Sequence, residues 1–391
     1  MFSKQLQDGR YKFSTSKFVI GLYIAIYLMF AEVGSRIGML LFILFLMFLL
    51  LYIILLNLKQ KQLFIPRRFL LFSFLMSFAF ITSFWSIDRN TTILAATKFV
   101  FPVLCIYYIS YFLTKRIGFY SFISIATNTT LIFTILSIPF TYHSFFDRFT
   151  GLFANSNQLG LLLSSICLPQ IILLTISGNQ SKNKVWSRVA VLIIIGLIIS
   201  TLSRGSILMV CSGIIISVML YGRKVNEKSA FLLNIFKKIV LIVLGCAVFL
   251  LVTLLRGSDT GSRSLLIKIG INLITFKGHG YGTSQRLLAE ANLPWFNSWH
   301  NGFLGILIEG GWVWFSIGIW VLYVVVRDGI YLRRNNESLI GTIAIAVTFA
   351  WAFTQLFEFQ LLRNSPIFYS FIAFSAAVSA TVKMNSRDSR P

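Results

Sequence analysis

The sequence predicts an all-α, polytopic membrane protein of about twelve spanning helices. Of its 391 residues, 57% are hydrophobic and only 12% charged, with a mean hydropathy of +0.80. That balance lies outside the range of soluble globular domains. The apolar residues also fall in runs close to the roughly 20 residues that cross a bilayer as a helix. Short polar segments separate those runs, and no internal repeat or soluble domain interrupts them.

In chain order the predicted spans are 18–35, 37–57, 69–87, 92–113, 118–140, 156–177, 187–203, 205–221, 236–255, 300–326, 338–358 and 365–382. Two of them nearly fuse at Leu202-Ser203-Arg204-Gly205. Polar tails at 1–17 and 383–391 flank a single transmembrane domain, 18–382. The first apolar run, from about Phe18, is followed at once by another, so it reads as a spanning helix and not as a cleavable signal. Cys105, Cys167, Cys211 and Cys246 lie in apolar runs without metal-ligand spacing. Core packing is expected of them, not disulfides.

Basic residues orient the chain. With the N-terminus inside, the inner segments hold 24 of the 35 Lys and Arg, the outer segments hold 10, and Lys98 falls within a span. Both termini are therefore expected in the cytoplasm, at the cytoplasmic (inner) membrane. Most of the net charge of +23 is then topology signal and inner-leaflet contact, and no nucleic-acid partner is implied. The outer basic residues are Arg36, Arg89, Arg148, Arg204, Arg256, Arg263, Lys268, Lys277, Arg286 and Arg363, and eight of these ten are arginines. Snorkelling at helix ends explains some of them. The arginine excess fits better with a planar fork that binds phosphate through two hydrogen bonds.

The one long outer loop is 256–299. From Arg263 to Phe276, Leu265, Leu266, Ile269, Leu273 and Phe276 recur at helical spacing, with Lys268, Asn272 and Thr275 on another face. This predicts a helix lying on the outer membrane surface. Next comes Lys277-Gly-His-Gly-Tyr-Gly-Thr283, containing His279. Its glycines allow a tight path that could cradle a phosphate or sugar, or form an ordinary turn. It lacks the Gly-Lys-Ser/Thr ending of a P-loop. A second short helix is predicted at 284–292, with Trp295 and Trp299 at the membrane interface.

The segment His300 to Trp314 carries the densest polar pattern in an apolar setting: His300, Asn301, Glu309 and a Gly310-Gly311 pair. An intramembrane acid is costly and marks function or a retained ion pair. On one straight helix His300 and Glu309 lie about 14 Å apart on opposite faces. They form no dyad, and Glu309 is expected to pair with an arginine from another span. Metal chemistry is poorly supported. There is no Asp-x-Asp or Glu-x-Asp pair, and the only histidines are His143, His279 and His300. No metal or cofactor is expected, and no Gly-x-Ser-x-Gly marks a hydrolase. The better constellation is Arg204 and Arg263, each beside glycine or serine, with His300. An imidazole takes a proton at neutral pH. Together these imply a site that holds a lipid-linked pyrophosphate and activates a hydroxyl, with cationic side chains stabilising the leaving phosphate.

At these residues the sequence resembles the O-antigen ligase and polymerase superfamily of bacterial membrane glycosyltransferases. Arg148-Phe-Thr-Gly-Leu-Phe-Ala-Asn-Ser-Asn-Gln-Leu-Gly160 is similar to its Arg-x-x-Gly-x-x-x-Asn-x-Asn stretch, and Thr201-Leu-Ser-Arg-Gly205 to its Thr-x-Ser-Arg-Gly turn. His300-Asn301, nine residues, then Gly311 is similar to the ligase motif, whose last position departs here as Trp314. Arg263 with the helix and glycine-rich turn behind it matches the loop pattern. The resemblance covers roughly 145–365 of the chain.

It implies a GT-C-like helical fold with an extracytoplasmic active site. It implies a glycan on undecaprenyl pyrophosphate as donor, and metal-independent, inverting transfer to the hydroxyl of a glycan or lipid-linked acceptor. His300 would be the base or acceptor-orienting residue, and Arg204 and Arg263 would bind the pyrophosphate. Arg148, Asn155, Asn157, His279, Asn301 and Glu309 would line the site. A single substantial outer loop and the near-complete histidine motif favour a ligase. Polymerases of O-antigen, capsule or exopolysaccharide often have two large outer loops, and here 141–155 is short. A solute or anion transporter is the reading from another class, with outer arginines as its funnel. Transporters commonly show related halves, and 1–195 shows no correspondence with 196–391.

Overall fold

The computed structural model describes residues 2–28, 35–59, 66–140, 149–153, 155–177, 184–221, 260–296 and 298–388. Among these the regular structure is helical, without strands. The first helices are α1 (Phe2–Leu28), α2 (Ser35–Lys59), α3 (Arg67–Met76), α4 (Phe78–Ile81), α5 (Arg89–Ile117), α6 (Phe119–Leu136) and α7 (Ser156–Ser177). There follow α8 (Lys184–Ser200), α9 (Arg204–Tyr221), α10 (Thr260–Asn272), α11 (Ser284–Glu290), α12 (Gly302–Arg334), α13 (Ser338–Thr354) and α14 (Pro366–Asp388). Among the described residues, helices α5, α6, α7, α9, α12 and α14 contain six segments long and apolar enough to cross a membrane. Shorter apolar helical segments lie in α1, α2, α3–α4, α8 and α13. The protein is thus a helical membrane-type protein. The expected span 236–255 and residues 256–259 lie outside the described residues.

Several boundaries differ from expectation: α12 runs on to Arg334 where 326 is expected, and α13 stops at Thr354 where 358 is expected. The run 69–87 is not one helix but α3, α4 and a 3-10 turn at Thr82–Phe84. Ser73, Ser77 and Thr82 turn their hydroxyls back onto the carbonyls of Phe69, Ser73 and Ala79, a contact that competes with the helical ladder. The two tails are also more helical than their polarity implies. Helix α1 starts at Phe2 and α14 continues to Asp388.

The most extensive packing joins α12 to α13, α14 to α5, and α9 to both α13 and α7. Aromatic rings fill the seams: Trp351 of α13 stacks on Phe371 of α14, centroids 4.5 Å apart. Cys105 and Cys167 are buried in this packing. Charged groups sort to the two ends of the bundle as their loops predict. Arg68 of α3 pairs with Asp328 of α12, and Arg333 donates to Leu220 O at the end of α9 (3.1 Å). At the opposite end Arg286 of α11 pairs with Asp88, 3.3 Å apart, at the start of α5.

Candidate functional site

The site is built around the first half of α12, and three segments far apart in sequence meet at its start. Asn155 begins α7, its carboxamide oxygen accepting from Asn157 N (2.8 Å). Four residues into α7's first turns, Gly160 presses against the Thr201–Gly205 turn. A side chain there would lie 2.5 Å from Thr201 Oγ1 and 2.6 Å from Ser206 Oγ. Ahead of α7, Phe149 N donates to Ser200 O at 3.1 Å. The turn itself is tight, with Leu202 at φ 49° and Ser206 Oγ donating to Ser203 Oγ (2.6 Å). It delivers a half-buried Arg204 as the first residue of α9.

The link from Arg204 to His300 is the turn after α13. A β-carbon on Gly205 would lie 3.4 Å from Glu358 Cγ, and one on Gly302 would lie 3.1 Å from Glu358 O. Gly302 N donates to Gln355 O at 2.6 Å. Asn301 caps α12 by accepting from Leu304 N (2.9 Å) and donates to Leu356 O (3.2 Å). Its role is therefore to fix the helix start. His300 sits just before the cap at φ 50°, its ring edge-on to Phe296 with centroids 6.3 Å apart. Residues 355–358 are thus a hub with the arginine turn on one side and the histidine on the other.

Arg263 is brought to the same end by helix direction. Gly270 of α10 packs on Leu304 and Ile308, and further along Phe276 O accepts from Trp312 N (3.0 Å). Helix α10 therefore runs alongside α12 in the same sense. Arg263, about two turns ahead of Gly270, lies toward the His300 end. Arg148 and His143 fall outside the described residues.

The glycine-rich turn serves a different purpose from the cradle considered above. Helix α12 breaks at Gly311, at φ 66° and ψ −162°, a region essentially reserved for glycine. The break frees backbone groups that an unbroken helix would pair internally. The turn 276–284 satisfies them. Trp312 N donates to Phe276 O, His279 N to Ile308 O (2.9 Å) and Gly280 N to Glu309 O (2.7 Å). The path is pressed close enough that a β-carbon on Gly278 would lie 2.5 Å from Glu309 O. The His279 ring is occupied too, its Nε2 2.8 Å from Leu273 O.

The turn does bind an anion, and that anion is internal. The buried Glu309 carboxylate accepts from Gly282 N (3.0 Å), Ser284 N (3.2 Å) and Ser284 Oγ. These hydrogen bonds come from the start of α11, where helix geometry leaves N–H groups free, and the charge of Arg363, which lines the same cavity, also acts on Glu309. Glu309 also faces a cavity of about 250 Å³, shared with Lys98, Arg363, Ser284, Thr91 and Asn364. Trp299, expected at the interface, is instead fully buried, while Trp295 is 68% exposed. Trp314, the motif departure, is buried against Phe78, Phe99 and Tyr281.

The sequence thus singled out Arg204, Arg263 and His300 and missed Gln355 and Glu358, which join the Arg204 turn to the start of α12. Glu358 carried a signal as an acid at the outer end of the predicted span 338–358. Gln355 carried none; its backbone carbonyl accepts from Gly302 N, and its carboxamide oxygen accepts from Gln360 N (3.0 Å) and Leu361 N (2.8 Å). No three His, Cys, Asp or Glu among the described residues come together as metal ligands. Compared with protein-family models and with curated proteins, the chain matches none.

Proposed function

We propose that the protein transfers a glycan from undecaprenyl pyrophosphate to an acceptor hydroxyl, as an O-antigen ligase-like membrane glycosyltransferase. The observation that carries this reading is the convergence of three motif segments. Asn155–Gly160, Thr201–Gly205 and His300–Gly302 meet through Gly160, Gly205 and residues 355–358. In this reading the chain crosses the inner membrane about twelve times in a GT-C-like arrangement, with both termini cytoplasmic and the His300 end outside.

The proposed chemistry is a single displacement. The acceptor O–H gives its proton to the His300 imidazole as its oxygen bonds to the anomeric carbon. The bond from that carbon to the pyrophosphate oxygen breaks on the opposite side, so the configuration inverts. Arg204 and Arg263 take up the charge on the departing undecaprenyl pyrophosphate. Polymerisation of lipid-linked repeat units uses the same step with a different acceptor and is the second reading. The single long outer loop, 256–299, favours a ligase. A transporter remains the alternative from another class.

The test uses a deletion strain complemented with wild type or variants, its surface glycans resolved by size and its lipid-linked precursors measured. His300→Ala is expected to reduce transfer by at least about 10²-fold at unchanged membrane level. Arg204→Lys and Arg263→Lys are each expected to reduce it about tenfold, one charge-assisted hydrogen bond's worth. Full-length chains stalled on the carrier identify a ligase. Single repeat units identify a polymerase. An unchanged glycan pattern in the deletion strain sinks the transfer reading and shifts weight to transport.

A further inference from the structure

The cavity beside Glu309 serves no step of the transfer chemistry, yet it is a formed site with a floor and a rim. Tyr281 and Glu309 make the floor, at 3% and 5% exposure. Thr91, Leu94 and Gln285 are exposed and make the rim. The walls are fixed by contacts of their own. Pro102, inside α5, has no N–H to pair with Lys98 O four residues earlier. The Tyr369 hydroxyl of α14 bonds that carbonyl instead, at 3.1 Å, and also meets the Asn364 carboxamide. The Tyr281 ring packs on Phe99 and Trp314, with centroids 5.1 and 5.7 Å away.

The floor has hydrogen-bonding capacity to spare. An ionised carboxylate offers about four acceptor positions. Glu309 uses three of them: Ser284 N and Ser284 Oγ bond Oε1, and Gly282 N bonds Oε2. The remaining position is on Oε2, and a buried acceptor requires a donor. Arg363 acts on Glu309 by its charge, while its guanidinium bonds Phe359 O at 3.4 Å and lies over the Phe359 ring. At the rim, Gln285 brings a carboxamide that can both donate and accept. Thr91 Oγ1 donates to Asp88 (2.8 Å) and keeps its acceptor lone pairs. Leu94 and Ala95 give the cavity an apolar side. Charge then decides the class of ligand. An anion would meet Glu309, and a cation would meet Arg363 and Lys98. A neutral group with several hydroxyls meets no like charge.

We propose that this cavity binds one neutral sugar ring, free or as the headgroup of a glycolipid. One ring hydroxyl donates to Glu309 Oε2, others bond Gln285 and Thr91, and a C–H face of the ring lies on Leu94 and Ala95. The volume of about 250 Å³ is below the roughly 300–1,000 Å³ of pockets for drug-sized ligands, so the cavity holds a ring and not a chain. Glu309 lies about 10 Å along α12 from Gly302, and His300 lies beyond that start. A ring bound here is therefore distinct from one reacting at the His300 end, and the proposal does not depend on glycan transfer.

The test is native mass spectrometry of the full-length protein in lauryldimethylamine oxide, a detergent without sugar groups. The probes are monoglucosyldiacylglycerol, diacylglycerol and phosphatidic acid with the same acyl chains. Wild type is expected to retain the glucolipid at least about fivefold more strongly than either of the others, the scale of one net hydrogen bond. Ala95→Leu, which fills the cavity without changing a charge, is expected to erase that preference. Gln285→Ala, at an exposed position that leaves the fold intact, is expected to weaken it several-fold and decides the matter should Ala95→Leu not fold. Excess free glucose separates the sources: displacement of the glucolipid assigns the ring alone, and resistance assigns the lipid headgroup. Equal retention of the three lipids overturns the proposal and leaves the cavity to water. Stronger retention of phosphatidic acid overturns it in favour of an anion. A glucolipid preference unchanged in both Ala95→Leu and Gln285→Ala also overturns it, as does one lost in His300→Ala and kept in Ala95→Leu, which would place the binding at the His300 end.

Discussion

Helix α12 buries a carboxylate in each of its halves, and the two are held by opposite means. Asp328, toward one end, meets the guanidinium of Arg68 from α3, with Arg327 3.6 Å away. The same Arg68 reaches Ser379 of α14 at 3.4 Å. Three helices are thereby tied by side chains, and the ladder of α12 needs no interruption. Glu309, in the other half, meets backbone amides of a turn that has replaced the helix's own hydrogen bonds at Gly311. The difference teaches what each acid is for. A side-chain pair fixes how helices pack. A carboxylate bound by backbone amides fixes the path of a loop, and here that loop forms the wall of a cavity.

The comparison can be broken most sharply at Gly311. Gly311→Ala must leave the φ 66° conformation and drives a β-carbon into Phe276 O. Strain and overlap together cost upwards of about 3 kcal/mol. Loss of the folded protein from membranes, or a large drop in its unfolding temperature in detergent, is expected. Unimpaired stability would mean that the break is not needed. Asp328→Asn comes next. Removing one partner of a buried pair costs 3–5 kcal/mol, and Arg68 is 36% exposed, so about 3 kcal/mol is expected. The loss should show in thermal unfolding, with transfer per folded molecule unchanged. Glu309→Gln keeps the shape but turns an amide toward donors that need an acceptor. A cost of about 1–3 kcal/mol is expected, with increased proteolysis within 277–284 as its signature. If Glu309→Gln and Asp328→Asn lower stability alike and neither exposes the turn, the distinction between the two acids fails.

Much of the helical architecture was legible, because apolar run length and charge per loop are local properties of the chain. The end-to-end sorting of charge followed from them: Arg68 with Asp328, Arg286 with Asp88. The positions of α10 and α11 were also legible, from spacing and from Pro294. What the sequence concealed was anything carried by the backbone. Gly278, Gly280 and Gly282 allowed either a cradle for a foreign anion or an ordinary turn, and nothing in the sequence signalled that this segment pairs with α12 and with Glu309. Gln355 could not be found, since its backbone carbonyl and its carboxamide both bind backbone N–H groups of distant or looped residues. Trp299 looked like an interface anchor because composition does not distinguish a ring in lipid from one in the core.

Asp88 offers the smallest and cleanest refinement, since it combines both kinds of partner at a half-buried position. As the cap of α5 it accepts from Thr91 N (3.0 Å) and Thr91 Oγ1 (2.8 Å), and Arg286 lies 3.3 Å away. The Thr91 backbone N–H is the largest influence holding its carboxyl below the usual carboxylate range, ahead of the Thr91 hydroxyl and of Arg286. A carboxyl lowered by folding contributes stability above its unfolded pKa, and that contribution is lost as pH falls through the folded value. Asp88→Asn should therefore flatten the acid limb of the unfolding-temperature profile and leave neutral stability nearly intact, because asparagine caps about as well. Arg286→Ala should leave most of that limb in place and remove only its salt-sensitive part. An acid limb erased equally by Arg286→Ala would put the side-chain partner above the backbone, and the ranking drawn from Glu309 and Asp328 would then not extend to the rim of the bundle.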